Sequence, residues 1–188
     1  MSLTEYVADF ALGLRYDDIP EPVRHTAIEH ILDGYGLALS GVAEESHGVV
    51  RHYLEQIACA GEVTVLGTPL RTSADLAALV NGLAIHAMDY DDTQLSTNPE
   101  SVYGLLTHPT APVLAACSAI AELVGASGRD LLTAYVAGVE IACRTADASN
   151  PRHYQKGFHS TGTFGLTFRT SGTGFGPPLL SGHGLAAV

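Results

Sequence analysis

The chain has 188 residues, 46% of them hydrophobic, which is enough for one compact domain with a buried core. Lysine and arginine together number 9 against 20 acidic residues, so the net charge is -11, and Lys156 is the only lysine. Because nucleic acids and anionic membrane surfaces attract clustered cations, we expect no nucleic-acid partner and no membrane partner.

The cysteines and the N-terminus predict a reduced, cytoplasmic location. The three cysteines, Cys59, Cys117 and Cys143, are odd in number and widely spaced, so we expect buried free thiols and no CxxC metal site. The first residues carry acids where a signal peptide needs positive charge, and polar residues interrupt the longest apolar runs.

Three helices and one strand are predicted in the first part of the chain. Apolar residues recur there at helical spacing, with proline near the start of the second helix and glycine at its end. The helices are predicted over Thr4 to Leu14, Pro20 to Gly41 and Glu44 to Ala58. A single β-type stretch follows over Glu62 to Gly67, too short to make a sheet alone.

Three further helices are predicted over Ser73 to Tyr90, Ala111 to Val124 and Arg129 to Ala146. The first of them is apolar almost all round, which is typical of a helix buried on several sides, and Ser73 is its expected N-cap. The predicted fold class is therefore all-α, with one multi-helix domain over residues 1–165. Residues 166–188 are rich in glycine and proline, so we expect an irregular tail there.

The run from His86 to Thr93 holds three carboxylates and an imidazole beside an apolar helix. If the helix continues through Thr93, then His86, Asp89 and Thr93 share one face, and Asp92 lies near it. A carboxylate near an imidazole can transfer a proton at neutral pH. The alternative is a helix end whose acids simply face solvent, and by the residues alone the two readings are evenly matched.

Two later segments add candidate site residues. His108 precedes Pro109, so its backbone is biased to extended geometry and its side chain lies just ahead of the next helix. The segment Gly157 to Gly165 joins His159 to hydroxyl side chains, including Ser160 and Thr161, in a loop that could cradle a carboxylate. Each pattern is also common in structural roles, as a hydrogen-bonding histidine or as a connector.

The same acids also allow a metal-dependent interpretation. Asp89 and Asp92 at i and i+3 resemble the aspartate pairs that hold Mg²⁺ on a helix. No second acid-rich helix accompanies them, so the sequence favours no resident metal, and the Mg²⁺-dependent helical enzyme is kept as an alternative. Glu140 and Arg144, at i and i+4, are predicted to form a structural ion pair.

Four motifs in order and at matching spacing resemble the MmgE/PrpD family. They are NGLAIHAMDYDDT at 81–93, HPTAPVL at 108–114, GVEIACR at 138–144 and GFHSTGTFG at 157–165. The family includes 2-methylcitrate dehydratase, cis-aconitate decarboxylase and iminodisuccinate epimerase. Four motifs over residues 1 to about 165 make a far more specific match than any one of them.

The resemblance implies a large helical domain in a homodimer that acts on small polycarboxylates without metal or organic cofactor. It implies acid/base removal or addition of a proton next to a carboxylate, coupled to loss of water or CO₂. Carried over by motif, the implied catalytic residues are Asp89, Thr93, His108 and His159. The implied substrate-binding residues are His86, Asp92, Ser160 and Thr161.

The chain departs from the family pattern after Phe164-Gly165. Family members continue past 400 residues with an Ala-rich helix, a lid domain, and lysines and a tyrosine that bind the substrate carboxylates. We therefore expect an incomplete domain, inactive alone, whose unprotected helices Ser73 to Tyr90 and Ala111 to Val124 favour association with another chain. The alternative is a non-catalytic helical dimerisation or interaction module.

Overall fold

The structure is a computed structural model that describes residues 2–57, 59–95, 105–149, 156–157, 159 and 161. Within these residues it is mostly helical, which confirms the all-α prediction. The helices are α1 (Leu3–Gly13), α2 (Glu21–Gly41), α3 (Glu45–Ile57), α4 (Ala74–His86), α5 (Thr110–Val124) and α6 (Gly128–Ser149), with a short 3₁₀ turn at Tyr16–Asp18.

The strands form two small antiparallel pairs that the sequence only partly predicts. The strands are β1 (Val63–Thr64), β2 (Arg71–Thr72), β3 (Gln94–Leu95) and β4 (Leu105–Thr107). Val63 pairs with Thr72 in the first pair, and Gln94 pairs with Thr107 in the second. Strands of two or three residues carry too little alternation to be read from sequence.

Helices α4 and α5 form the centre of the fold, where α2 packs mainly against α4 and α6 packs against α5. Small side chains allow this close approach. At Gly41 of α2 an added Cβ would lie far inside van der Waals contact with the carbonyl of Ala84 on α4. Most apolar residues of α4 and α5 are buried among the described helices, although Leu79, Leu123 and Val124 are exposed, so the expected association through these two helices stays a prediction.

The large exposed apolar side chains lie mainly on the outer helices. On α2 they include Ile28, Leu32 and Leu39, and on α3 they include Val49 and Tyr53. None of the helices in the described part of the chain has both the length and the unbroken apolar character needed to cross a bilayer. The predicted tail 166–188 lies outside the described residues, so its form stays a prediction.

Three local expectations can be checked directly. All three cysteines are free thiols, but only Cys117 is buried, whereas Cys59 and Cys143 are half-buried. Glu140 and Arg144 form the predicted ion pair, although they do so on the surface. Ser73 holds the N-cap position of α4, but its hydroxyl donates to the Asp75 side chain and makes no capping bond to the backbone.

Candidate functional site

The site begins where α4 ends. The predicted helix end at Tyr90 is wrong, and the continuation through Thr93 on which a shared face depended is not found. The helix stops at His86, and Asp89 adopts the left-handed conformation with φ 57°. The Asp89 amide donates to the His86 carbonyl at 3.0 Å, which closes a tight turn. Aspartate tolerates this backbone better than most side chains. The turn sends the chain back toward the helix end, so the face expected for an unbroken helix does not exist.

Asp91 is the centre of the site. Its carboxylate oxygens lie 2.9 and 3.1 Å from His86 Nδ1, and one of them lies 3.5 Å from His108 Nδ1. The side chain is only 1% exposed. A buried carboxylate needs a nearby cation or proton, and the hydrogen bond from His86 provides it. That bond to Asp91, opposed by burial and aided by the charges of Asp91 and Asp89, raises the pKa of His86.

His108 is held at the junction between β4 and α5. Its backbone amide donates to the hydroxyl of Thr161 at 2.8 Å, and its side chain is buried. The two ring nitrogens face different acids, since Nε2 lies 3.6 Å from an oxygen of Asp89 while Nδ1 faces Asp91. His108 therefore bridges the exposed and the buried carboxylate of the turn.

His159 completes a group of three imidazoles. Its ring stacks on His108 with centroids 5.6 Å apart and lies 6.2 Å from the ring of His86, while the His86 and His108 centroids are 4.8 Å apart. Partial desolvation, and then the neighbouring rings of His108 and His86, lower the pKa of His159. The environments of His86 and His159 thus move their pKa values in opposite directions.

The other predicted site residues either lie apart from the three imidazoles or hydrogen-bond to the backbone of His108. Asp92 accepts a hydrogen bond from the Thr110 amide at 3.0 Å and lies 3.6 Å from His30 Nδ1, so it faces the start of α5. Burial raises the pKa of Asp92. Thr93 is exposed, and no hydrogen bond joins it to the described members of the cluster. Thr161 is buried under the His108 backbone, and Ser160 lies outside the described residues.

The predicted site does not include Asp91, although this residue is one of the three carboxylates in the run from His86 to Thr93. On a continuous helix Asp91 points away from His86, Asp89 and Thr93. Only the turn at Asp89 brings it under the imidazoles. The available signal was three acids within four residues after a buried helix, where at least one must be neutralised.

Four side chains of the cluster could hold a metal ion. One donor atom each from His86, Asp89, Asp91 and His108 can be chosen so that all four lie within 4.8 Å of one another. The Asp89/Asp92 pair of the Mg²⁺ reading is separated, since Asp89 faces His108 whereas Asp92 faces Thr110 and His30. An imidazole whose pKa is raised by a buried carboxylate, beside a second imidazole whose pKa is lowered, can also bind an anion and accept a proton.

The comparisons with known proteins agree with this fold and motif arrangement. The family description "MmgE/PrpD N-terminal domain" matches residues 5–173, so the chain belongs to the MmgE/PrpD family. The chain is 31% identical to cis-aconitate decarboxylase of Mus musculus and 32% identical to that of Homo sapiens, in each case over 170 residues. These alignments cover 87% of the chain and 33% and 34% of the two relatives, so the chain spans about a third of their length.

Proposed function

We propose that the protein provides the acid–base side of a lyase-type pocket for small polycarboxylates and works without a resident cofactor. The observation that carries the proposal is the group of three neighbouring imidazoles, two of which lie against the buried carboxylate of Asp91. Similarity to two cis-aconitate decarboxylases supports a polycarboxylate as the substrate class.

The opposite pKa shifts suggest a division of labour. His86, whose protonated form Asp91 favours, binds a substrate carboxylate and stabilises the negative charge that develops there. His159, neutral near pH 7, accepts a proton from the carbon next to that carboxylate. The C–H electron pair moves into the carboxylate to form an enediolate-like species. That pair then forms a carbon–carbon double bond while the C–O bond at the neighbouring carbon breaks, and the leaving hydroxyl takes up the abstracted proton and departs as water.

Loss of CO₂ in the same pocket requires that a proton is donated to carbon and not removed from it. The C–CO₂ bond breaks, its electron pair is delocalised onto the neighbouring part of the substrate, and an imidazolium returns a proton to the carbon. Asp89 and His108, 3.6 Å apart, are the proposed partners for that proton. Thr93 remains a proposed pocket residue.

Deuterium exchange tests this proposal even where the full reaction is slow. The protein is incubated with cis-aconitate or 2-methylcitrate in D₂O, and mass spectrometry follows deuterium next to the carboxylates. We expect catalysed exchange that falls at least 100-fold in His159→Gln, in line with general-base contributions of about 10² to 10⁴. His52→Gln, an exposed histidine on α3, is the matched control. Exchange that is absent, or equal in both variants, contradicts the proposal.

We also propose that the chain associates as a homodimer or with a related chain in the cytoplasm. The apolar side chains of Ile28, Leu32 and Leu39 are exposed on α2. Exposed apolar patches of this kind favour association. The free thiols of Cys59, Cys117 and Cys143 agree with a reducing compartment. Light scattering of the purified protein decides between a monomer and a dimer.

A further inference from the structure

We propose that His86, Asp89, Asp91 and His108 bind one late first-row divalent cation of the Zn²⁺ type, and that the bound cation inhibits the acid–base chemistry. The inhibitory half of this proposal rests on the proposed function. The binding half does not, because it concerns only the four donor side chains.

The spacing of the donor atoms suits a small four-coordinate ion. Zn²⁺ binds nitrogen and oxygen ligands at about 2.0 to 2.2 Å, so the donors of a tetrahedral site lie roughly 3.3 Å apart. The distances from Asp91 to His86 Nδ1 and His108 Nδ1 are 2.9 and 3.5 Å, on either side of that value. Donor atoms chosen from all four side chains lie within 4.8 Å of one another. Asp89 is 77% exposed, so its carboxylate has room to close the remaining gap.

His108 supplies an independent indication of a ligand. Its side chain is 5% exposed, and its Nδ1 has no hydrogen-bond partner among the described residues. That nitrogen points toward the Asp91 carboxylate at 3.5 Å, where no hydrogen bond forms. A buried imidazole nitrogen without a partner costs free energy, and coordination to a cation through its lone pair removes that cost.

The charge and type of the donors select the kind of ion. Two carboxylates and two neutral imidazoles carry two negative charges, which one divalent cation neutralises in a partly buried site. Imidazole nitrogen suits zinc, copper, cobalt and nickel, whereas Mg²⁺ prefers a shell of oxygens. The cluster therefore favours Zn²⁺ over Mg²⁺, unlike a site built from Asp89 and Asp92.

Inhibition follows from shared atoms. A cation on His86 and His108 occupies the nitrogen lone pairs that proton transfer needs, and it replaces the imidazolium that holds the substrate carboxylate. His159 lies outside the donor group and contacts the other two histidines through its ring. The metal and the substrate chemistry therefore use overlapping but different residues.

Metal titration of the metal-free protein tests the binding half. Calorimetry with ZnCl₂, and the visible absorption of bound Co²⁺, report affinity and coordination without any substrate. We expect one site whose Kd rises at least 10-fold in His86→Gln and in Asp91→Asn, while His159→Gln and His52→Gln bind as the wild type does. Mg²⁺ at the same concentrations should give no heat from this site.

The outcomes separate the two proposals. Unchanged Zn²⁺ affinity in His86→Gln overturns the site, and so does equal affinity for Mg²⁺. His86 is 36% exposed, so this variant decides the matter if Asp91→Asn does not fold. Suppression of wild-type deuterium exchange by Zn²⁺, together with loss of exchange but intact Zn²⁺ binding in His159→Gln, supports both proposals, whereas exchange that Zn²⁺ leaves unchanged overturns the inhibition. Zn²⁺ binding without any exchange activity retains the metal site and removes the proposed function.

Discussion

Two regions of the protein bury histidine in opposite ways. On α3, His47 is fully buried, and neither of its ring nitrogens has a hydrogen-bond partner among the described residues. Burial, and then the charge of Arg51, lower its pKa. At the end of α4, three imidazoles gather around the buried carboxylate of Asp91, and the pKa of His86 is raised. The difference shows that a carboxylate buried beside an imidazole raises the pKa of that imidazole, whereas burial alone lowers it.

Helix α4 supports both regions, so the largest effect comes from displacing it. Gly41→Ala places a methyl group against the carbonyl of Ala84, and we expect a loss of about 3 kcal/mol in the free energy of unfolding, at the upper end for overpacking. Chemical denaturation measures it. Gly36→Ala is the control on the same helix, because its added methyl has no neighbour within 4 Å and should stabilise by up to about 1 kcal/mol. Similar results for both variants would contradict this close packing.

Replacing the buried imidazole of His47 on α3 tests the first of these two regions. His47→Leu should stabilise the protein by about 1 kcal/mol at pH 7, because two buried nitrogens without partners are replaced by an apolar group. The pKa of His47 is lower in the folded than in the unfolded state, where it is 6.5. The unfolded state therefore binds more protons below that pH, and wild-type stability falls as pH drops below 6.5.

Denaturation from pH 7.5 to 5 measures this effect. The gain from His47→Leu should grow as the pH falls. His52→Leu, an exposed histidine on the same helix, should change stability by less than about 0.5 kcal/mol at pH 7. If the gain in stability from His47→Leu became smaller as the pH falls, the protonated His47 ring would have a negatively charged partner.

The smallest expected effect is that of His86 in the cluster. Its contribution to stability changes with pH in the opposite direction to that of His47. The folded pKa of His86 is raised above 6.5, so its contribution is complete below that pH and is lost as pH rises through the folded pKa. His86→Gln should remove this fall in the free energy of unfolding with rising pH. The fall is expected to be about 0.5 kcal/mol, because the side chain is partly exposed and its charge is screened. Denaturation between pH 6 and 9 checks it. Asp91→Asn should give the same flat profile, and an unchanged slope in both would contradict the pairing.

The helical fold was predictable because each helix carries its own periodic signal. Gly125, which ends α5 in the left-handed conformation, and Pro22 near the start of α2 marked boundaries within a residue or two. The end of α4 was not predictable in this way. An apolar pattern sets a helix face but not its last residue when no glycine or proline follows.

By itself the sequence determined the all-α class, the family and the presence of His86, His108 and His159 in its motifs. Only the tertiary structure decided which carboxylate lies beside these histidines. The left-handed turn at Asp89 moves Asp91 under the rings and leaves Asp92 at the start of α5. The physical reason is that periodicity is a local property, whereas the neutralisation of a buried charge depends on partners that the fold brings from 17 or more residues away, as with Asp91 and His108.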